Sequence, residues 1–236
     1  MKILITNDDG IEADGLWRLA ASAREYGEVT VVAPDSQRST MSHAITLRES
    51  IDVYKVEPRL SGVTAYSSTG TPADCVRFGI QNFTNGTPDI VLSGINFGFN
   101  CGSDAIYSAT VGSALEAAMS GIHAIAVSEG FHTHEVSDKY LTELLGILIH
   151  KPLEPGYIWN LNFPDCTLDS FREILWDRSL ASNSFYIDTY PSVPLQNGGF
   201  RLKVHGERSE NAADGTDFHA ILHDCISIGR VGNLHS

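Results

Sequence analysis

Oxygen-bearing side chains crowd three short segments of this chain. The first is Asn7-Asp8-Asp9-Gly10, the second Pro34-Asp35-Ser36-Gln37-Arg38-Ser39, and the third Gly94-Ile95-Asn96-Phe97-Gly98. Each follows an apolar run of strand length, at 2–6, 29–33 and 89–93. Ligands of open parallel sheets bind in the crevice outside the carboxyl ends of strands, so three such ends can converge on one site. Adjacent carboxylates repel when both are ionised, and a divalent cation removes that repulsion. Asp8, Asp9, the Ser39 hydroxyl and the Asn96 carbonyl make an all-oxygen set. Such a set suits one hard ion per subunit, Mg, Mn or Ca, rather than a thiolate zinc site. Alone, Asp8-Asp9-Gly10 reads as a turn whose aspartates cap the next helix. Ser39 and Asn96 at matching strand ends favour the metal.

A longer loop, from Gly98 to Gly112, leads into a helix built from Gly112, Ser113, Ala114, Ala117 and Ala118. It is neither a GxGxxG fingerprint nor a Walker A, since the lysine is missing. The free N–H groups of that helix start can hold a phosphate oxygen, with the Ser108 and Thr110 hydroxyls beside them and Ala109 between. The alternative is a plain N-cap by Ser108 or Thr110. A phosphate held there lies close to the expected metal, and the pair describes metal-assisted phosphoester hydrolysis. His43 follows Ser39 closely enough to reach the cleft. Arg38 either neutralises substrate phosphate or forms a surface ion pair. His219 and His223 have i, i+4 spacing but lack the glutamate of HExxH, and they read as an ordinary helix face. His132 and His134 read as solvated loop residues.

The elements that must position these residues alternate. Strand-like runs at 2–6, 29–33, 51–56, 63–68, 89–93, 124–128 and 156–162 are separated by helical spacing at 15–26, 73–81, 111–120 and 137–150. Near-continuous apolar strands alternating with helices predict an α/β fold, a Rossmann-like and mostly parallel sheet with helices on both faces. Residues 165–215 break the rhythm and read as a β-hairpin excursion or oligomerisation arm turning at Asn197-Gly198-Gly199. A short helix at 216–224 and a strand at 225–228 follow. The expected organisation is a catalytic core over 1–164 and a hairpin with C-terminal segment over 165–236, one structural domain with an arm.

The 236 residues carry 16 Lys+Arg against 29 Asp+Glu, a net charge of −13, which argues against duplex nucleic acid or an anionic membrane as partner. Its 4 cysteines show no CxxC spacing and read as reduced packing residues. Asp8 and Asp9 interrupt the start before any signal-peptide apolar region, and no apolar run is long enough to span a bilayer. The expectation is a soluble, cytoplasmic protein.

The same residues carry a resemblance. The run from Ile3 to Gly10 with Gly15-Leu16, then Val32-Ala33-Pro34-Asp35 with Gln37-Arg38-Ser39, resembles the SurE family of survival phosphatases. So do Thr69-Gly70-Thr71-Pro72-Ala73-Asp74-Cys75-Val76, Ser93-Gly94-Ile95-Asn96, Gly102-Ser103-Asp104, Tyr107-Ser108 and Thr110-Val111-Gly112. The match is dense over about the first half of the chain and thinner beyond, where Asn160 to Pro164 and Gly215-Thr216-Asp217 also fit. The resemblance implies a divalent-metal-dependent nucleotidase acting on nucleoside monophosphates, with ligands at Asp8, Asp9, Ser39 and Asn96. It also implies a Rossmann-like fold whose hairpin and C-terminal segment are exchanged between subunits of a homodimer or homotetramer. The chain departs from the family pattern at Ala109 and Ala117, where glycine is usual, and in its ending Ile226-Ser227-Ile228-Gly229-Arg230-Val231.

These lines together predict metal-activated water attack on a phosphomonoester. Asp8 or Asp9 orients the water or accepts its proton, and Asn96, Ser108, Ala109 and Thr110 border the phosphate. Arg38, His43, Thr71 and Asp74 are the candidate substrate pocket. Two rivals are an aspartyl-phosphate phosphotransferase with Asp8 or Asp9 as nucleophile and a nucleotide-sensing module that binds without turnover.

Overall fold

A computed structural model of the chain describes residues 1–232; the remainder of the expected segment 165–236 lies outside the described residues. The first half follows the expected alternation. Strand β1 (Lys2–Thr6) leads to helix α1 (Asp14–Ala23), then β2 (Glu28–Pro34), β3 (Val53–Val56), β4 (Val63–Ser68) and α2 (Pro72–Phe78). Next come β5 (Ile90–Phe97), α3 (Ala109–Met119), β6 (His123–Glu129), α4 (Glu135–His150) and β7 (Tyr157–Phe163). Six of these strands, in the order β4-β2-β1-β5-β6-β7, are parallel, and β3 runs antiparallel on one edge.

The strand order carries the functional consequence. From β1 the chain moves outward through β2 to β4, then returns to place β5 on the other side of β1 and moves outward again through β6 and β7. The order therefore reverses between β1 and β5, the place where open α/β sheets form their ligand crevice at the carboxyl ends of the strands. Asp8 and Asp9 follow β1, and Asn96 is the penultimate residue of β5.

Period-two alternation assigns the strand side chains to two faces. Ile3, Ile5, Ile90 and Leu92 face α1 and α4, meeting Leu16, Leu19, Leu141 and Leu145 in one cluster. Leu4 and Val91 point the other way and join Val76 of α2 with Val111, Ala114 and Ala117 of α3. The small residues of α3 let that helix lie close to the sheet, where Ser113 Oγ meets Ser93 Oγ at 2.8 Å.

Three differences from the expected elements have local causes. The expected helix at 73–81 is an α-helix only to Phe78 and continues as a π-helical turn, Gly79–Phe83, closed by the Thr84 amide donating to the Gly79 carbonyl. Strand β5 runs past Ser93 to Phe97, with a register shift against β6 between Ser93 and Asn96, so Asn96 stands in the strand rather than after it. Residues beyond 165 contribute to the main sheet as well as to an arm. Strand β8 (Ile174–Arg178) reaches the sheet only through the later strand β13 (Ile226–Gly232), which pairs with β7 antiparallel and with β8 in parallel.

Between them runs the expected hairpin. Strands β9 (Tyr186–Thr189) and β12 (His205–Arg208) pair antiparallel, as do β10 (Ser192–Pro194) and β11 (Phe200–Leu202). Its turn is closed by Leu195 and Gly199, with Gly198 at φ +82°, as the Asn197-Gly198-Gly199 signal predicts. All four hairpin strands are exposed. The short helix α5 (Asp217–Leu222) is capped by Thr216. Among the described residues no helix is long and apolar enough to cross a membrane.

Candidate active site at the strand switch point

The Asp8–Asp9 turn is built by its neighbours. Asn7 is fully buried; its side chain donates to the Gly10 carbonyl at 3.0 Å and accepts from the Gly10 amide at 3.2 Å. Gly10 closes the turn at φ +99°, a conformation open to glycine and strained for other residues. Three further hydrogen bonds draw the other segments in. The Arg38 amide donates to the Asp8 carbonyl at 2.7 Å, the Phe97 amide to Asp9 Oδ2 at 3.0 Å, and the Thr110 hydroxyl to Asp8 Oδ1 at 2.6 Å. The end of β5 and the first turn of α3 thus meet on the two carboxylates, and the loop after β2 is tied to the backbone of Asp8.

Asp8 is 3% exposed and Asp9 is half-buried. Desolvation by burial pushes the Asp8 carboxyl up to about 6, opposed by the Thr110 hydrogen bond and reinforced by the Asp9 charge. Desolvation also raises Asp9, against the amide of Phe97 and a long contact from Gln37 at 3.5 Å. Among the described residues neither carboxylate forms an ion pair: Arg18 is paired with Glu129 and Asp138, and Arg38 with Asp35 at 3.3 Å. Two adjacent, partly desolvated carboxylates without a cation fit a hard divalent ion, which relieves both the burial and the repulsion.

Ser39 and Asn96 each sit one residue from an amide bonded to this pair. Asn96 is buried, and its amide nitrogen donates to the Gly98 carbonyl at 2.8 Å, which leaves the oxygen end of the side chain for an ion. Ser39 lies in the exposed turn beyond Arg38. No three His, Cys, Asp or Glu side chains gather as a metal cluster among the described residues. An ion at Asp8 and Asp9 would complete its shell from hydroxyl, amide and water oxygens, as the residue types suggest.

The expected phosphate loop divides its duties. The Ser108 hydroxyl accepts from the Val111 amide at 3.1 Å and is the N-cap of α3. Thr110, fully buried, spends its hydroxyl on Asp8. Ala109 is 1% exposed, so its methyl is absorbed into the packing rather than standing in the loop surface. What remains for an anion is the backbone of the helix start.

The candidate substrate residues are placed apart from one another. Thr71 and Asp74 form the capping box of α2, and the Asp74 carboxylate also accepts from the Thr46 amide at 3.0 and 3.1 Å and from its hydroxyl at 2.6 Å. They brace the 44–46 segment. His43 Nε2 lies 2.7 Å from Glu116 Oε2, with Arg77 on the other oxygen at 3.6 Å. This trio lines a cavity of about 660 Å³ along α3 that reaches Ser108. Arg38 also donates to the Thr69 carbonyl at 3.2 Å, and its buried Nε has no partner. Of the other histidines, His132 Nδ1 lies 2.5 Å from Asp165 Oδ2, and His134 3.0 Å from Glu129. His219 on α5 and His223, its C-cap residue, stack at 4.1 Å.

Residue types alone pass over Asn7, Gln37 and Phe97 as site builders. Asn7 and Gln37 stand inside the polar segments, so their spacing was the available signal. Phe97 acts through its backbone, which no side-chain pattern reports.

Comparison with known proteins places the fold and the family. The family model for "Survival protein SurE" matches residues 3–184. A protein of Thermoanaerobacter sp. (strain X514), 5'-nucleotidase SurE, is 40% identical over 235 residues, 97% of this chain and 90% of its own. The 5'-nucleotidase SurE of Clostridium botulinum (strain 657 / Type Ba4) is 37% identical over 233 residues, 97% of this chain and 91% of its own. The crystal structure of the SurE protein from Aquifex aeolicus superposes with a TM-score of 0.84 at 28% identity, covering 99% of this chain and 94% of that one. With the family model spanning most of the chain and the strand-end carboxylates at the switch point, the chain belongs to the SurE family.

Proposed function

We propose that this chain hydrolyses nucleoside monophosphates to nucleoside and phosphate in a divalent-metal-dependent reaction. The observation that carries the reading is the Asp8–Asp9 pair, desolvated and unpaired at the β1/β5 switch point, in a chain whose relatives are named 5'-nucleotidases. Asp8, Asp9, Asn96 and Ser39 would hold the ion. When bound, it supplies electrophilic polarisation of a phosphoryl oxygen and acidity for an attacking water.

The protein's own groups do the rest. Thr110 fixes Asp8 through Oδ1, so this carboxylate is a held ligand rather than a mobile base. Asp9 is tied at Oδ2 by the Phe97 amide, and its Oδ1 has only the 3.5 Å Gln37 contact. That oxygen is free to orient the water and accept its proton as the water oxygen bonds to phosphorus and the ester bond breaks, and the proton then passes to the departing nucleoside oxygen. The backbone amides at the start of α3 face the charge that develops on the phosphoryl oxygens. The half-buried Arg38 guanidinium, beside Ser39 in the chain, is a further donor for the phosphate.

The hairpin supports a homo-oligomer. Phe200 is 68% exposed, Val193 63% and Leu202 61%, an apolar arm that a second copy would cover.

The deciding experiment is phosphate release from nucleoside monophosphates and p-nitrophenyl phosphate under EDTA, Mg, Mn and Ca. Release that EDTA abolishes and a metal restores is expected. A folded protein that binds nucleotide and releases nothing under any metal would sink the hydrolase in favour of the sensor. An acylphosphate trapped by hydroxylamine would instead favour the covalent rival.

A further inference from the structure

Beside the carboxylate pair lies an exposed aromatic surface that hydrolysis alone leaves without a task. Phe97 ends β5; its amide donates to Asp9 Oδ2 at 3.0 Å while its ring is 55% exposed. The Phe131 ring, 38% exposed, meets it edge to face with centroids 5.1 Å apart. Phe131 follows β6, the parallel neighbour of β5, so both rings stand on the rim of the sheet that carries Asp9.

These rings are held in place. The Asp165 carboxylate accepts from the amides of Phe131, His132 and Thr133, each at 3.0 Å. Behind Phe131 stands Phe99 at 6.4 Å, which leads through Phe185 at 5.3 Å to the fully buried Phe218 at 4.8 Å. Gly98 has φ +125°, and a Cβ there would lie 2.8 Å from Phe131 Cζ, so glycine is what lets the second ring close on the first. An anchored aromatic face loses little freedom when a ligand arrives. Every nucleobase has a π-face that such a surface can stack.

We propose that Phe97 and Phe131 form the nucleobase-stacking surface of this site and select nucleotides, purine before pyrimidine, over phosphomonoesters without an aromatic base. The inference rests on the nucleotidase reading above and names what sets its substrate preference. Contact with the base, remote from the reacting phosphorus, then raises kcat/KM.

The test compares kcat/KM for adenosine monophosphate, cytidine monophosphate and ribose 5-phosphate in wild type, Phe97→Leu, Phe131→Leu and Phe97→Trp at one metal concentration. The ratio of adenosine monophosphate to ribose 5-phosphate is expected to fall about tenfold in both leucine variants. Phe97→Trp is expected to keep or raise it. Leucine retains apolar bulk, so a loss that tryptophan rescues belongs to stacking rather than burial. An unchanged ratio in both leucine variants, with phosphate still released, overturns the stacking surface and leaves the nucleotidase reading intact. Should wild type release phosphate from none of the three, that reading fails by itself. Calorimetric binding of adenosine monophosphate against ribose 5-phosphate then decides the proposal: a tenfold gap lost in the leucine variants supports it, and equal or absent affinities overturn it.

Discussion

Replacing Asp8 by asparagine is expected to stabilise the metal-free protein while abolishing turnover. Burial raises the Asp8 carboxyl from its ordinary 3.8 to about 6 even with Thr110 donating to it. For an acid whose folded pKa lies above the unfolded one, the protonated form is favoured by folding. Below pH 3.8 both states are protonated and ionisation of Asp8 has no effect on stability; the penalty grows between 3.8 and about 6, and it is fully present above that. At 1.36 kcal/mol per pH unit, the span from 3.8 to about 6 amounts to about 3 kcal/mol. Asparagine keeps the shape and the acceptor for Thr110 but buries an amide of its own. The net gain is then roughly 2 kcal/mol, or roughly 4–8 °C in Tm for a chain of this size.

Thermal unfolding in EDTA reads this directly. At a pH of about 8, Asp8→Asn should melt above wild type, and the gap should close as the pH falls toward about 4. A divalent cation should raise the wild-type Tm by binding the folded state, and should raise that of the variant much less. A variant that melts below wild type in EDTA at the higher pH, or a gap indifferent to pH, would refute the view of Asp8 as a desolvated and uncompensated charge.

Other expectations follow from single contacts. Thr110→Val removes the hydroxyl bonded to Asp8 and should lower kcat about tenfold or more with the fold retained, as circular dichroism and phosphate release would show. Asp165→Asn weakens the mooring of the 131–133 amides and should destabilise by about 1–2 kcal/mol in urea unfolding at neutral pH. At Asp165, desolvation is outweighed by hydrogen bonds from His132 and its neighbours, which hold the carboxyl below its ordinary value. Its contribution is therefore present above that ordinary value and lost as the pH falls through the depressed one, so the variant's deficit should vanish in acid. Phe200→Asp with Leu202→Asp, on the exposed hairpin, should shift the mass measured by light scattering from oligomer to monomer. An unchanged mass would place the subunit contact elsewhere.

The parts of the fold that sequence revealed are those whose cause is local. Lys2–Thr6 is bounded as expected because its buried apolar run is closed by polar residues, and Val63–Ser68 because buried Val63 and Ala65 alternate with half-buried Thr64 and Tyr66. The hairpin turn is legible because Gly198 must take a positive φ. Strand β8 is not, since its place depends on β13 arriving later in the chain to bridge it to β7. At the site, Asp8, Asp9 and Ser39 stand out by type and by position after strands, and Asn96 by type near the end of one, although it lies inside β5. The pairing of Thr110 with Asp8, 102 positions apart, does not.

That last contact also explains why two hydroxyls with one expected task have three-dimensional roles that differ. A helix start offers several unbonded amides and one N-cap position. Ser108 fills the cap, which leaves the amides ordered; Thr110, a short step further round the helix, turns inward to the carboxylate. The same turn of the helix therefore fixes Asp8 and, in the proposed reading, offers its backbone to the phosphate, and neither duty needs a hydroxyl at the surface. Ala109, buried between the two, is compatible with both. The glycine usual at this position in the resemblance is thus not required for the turn to form, since Ala109 already opens α3 with ordinary helical packing.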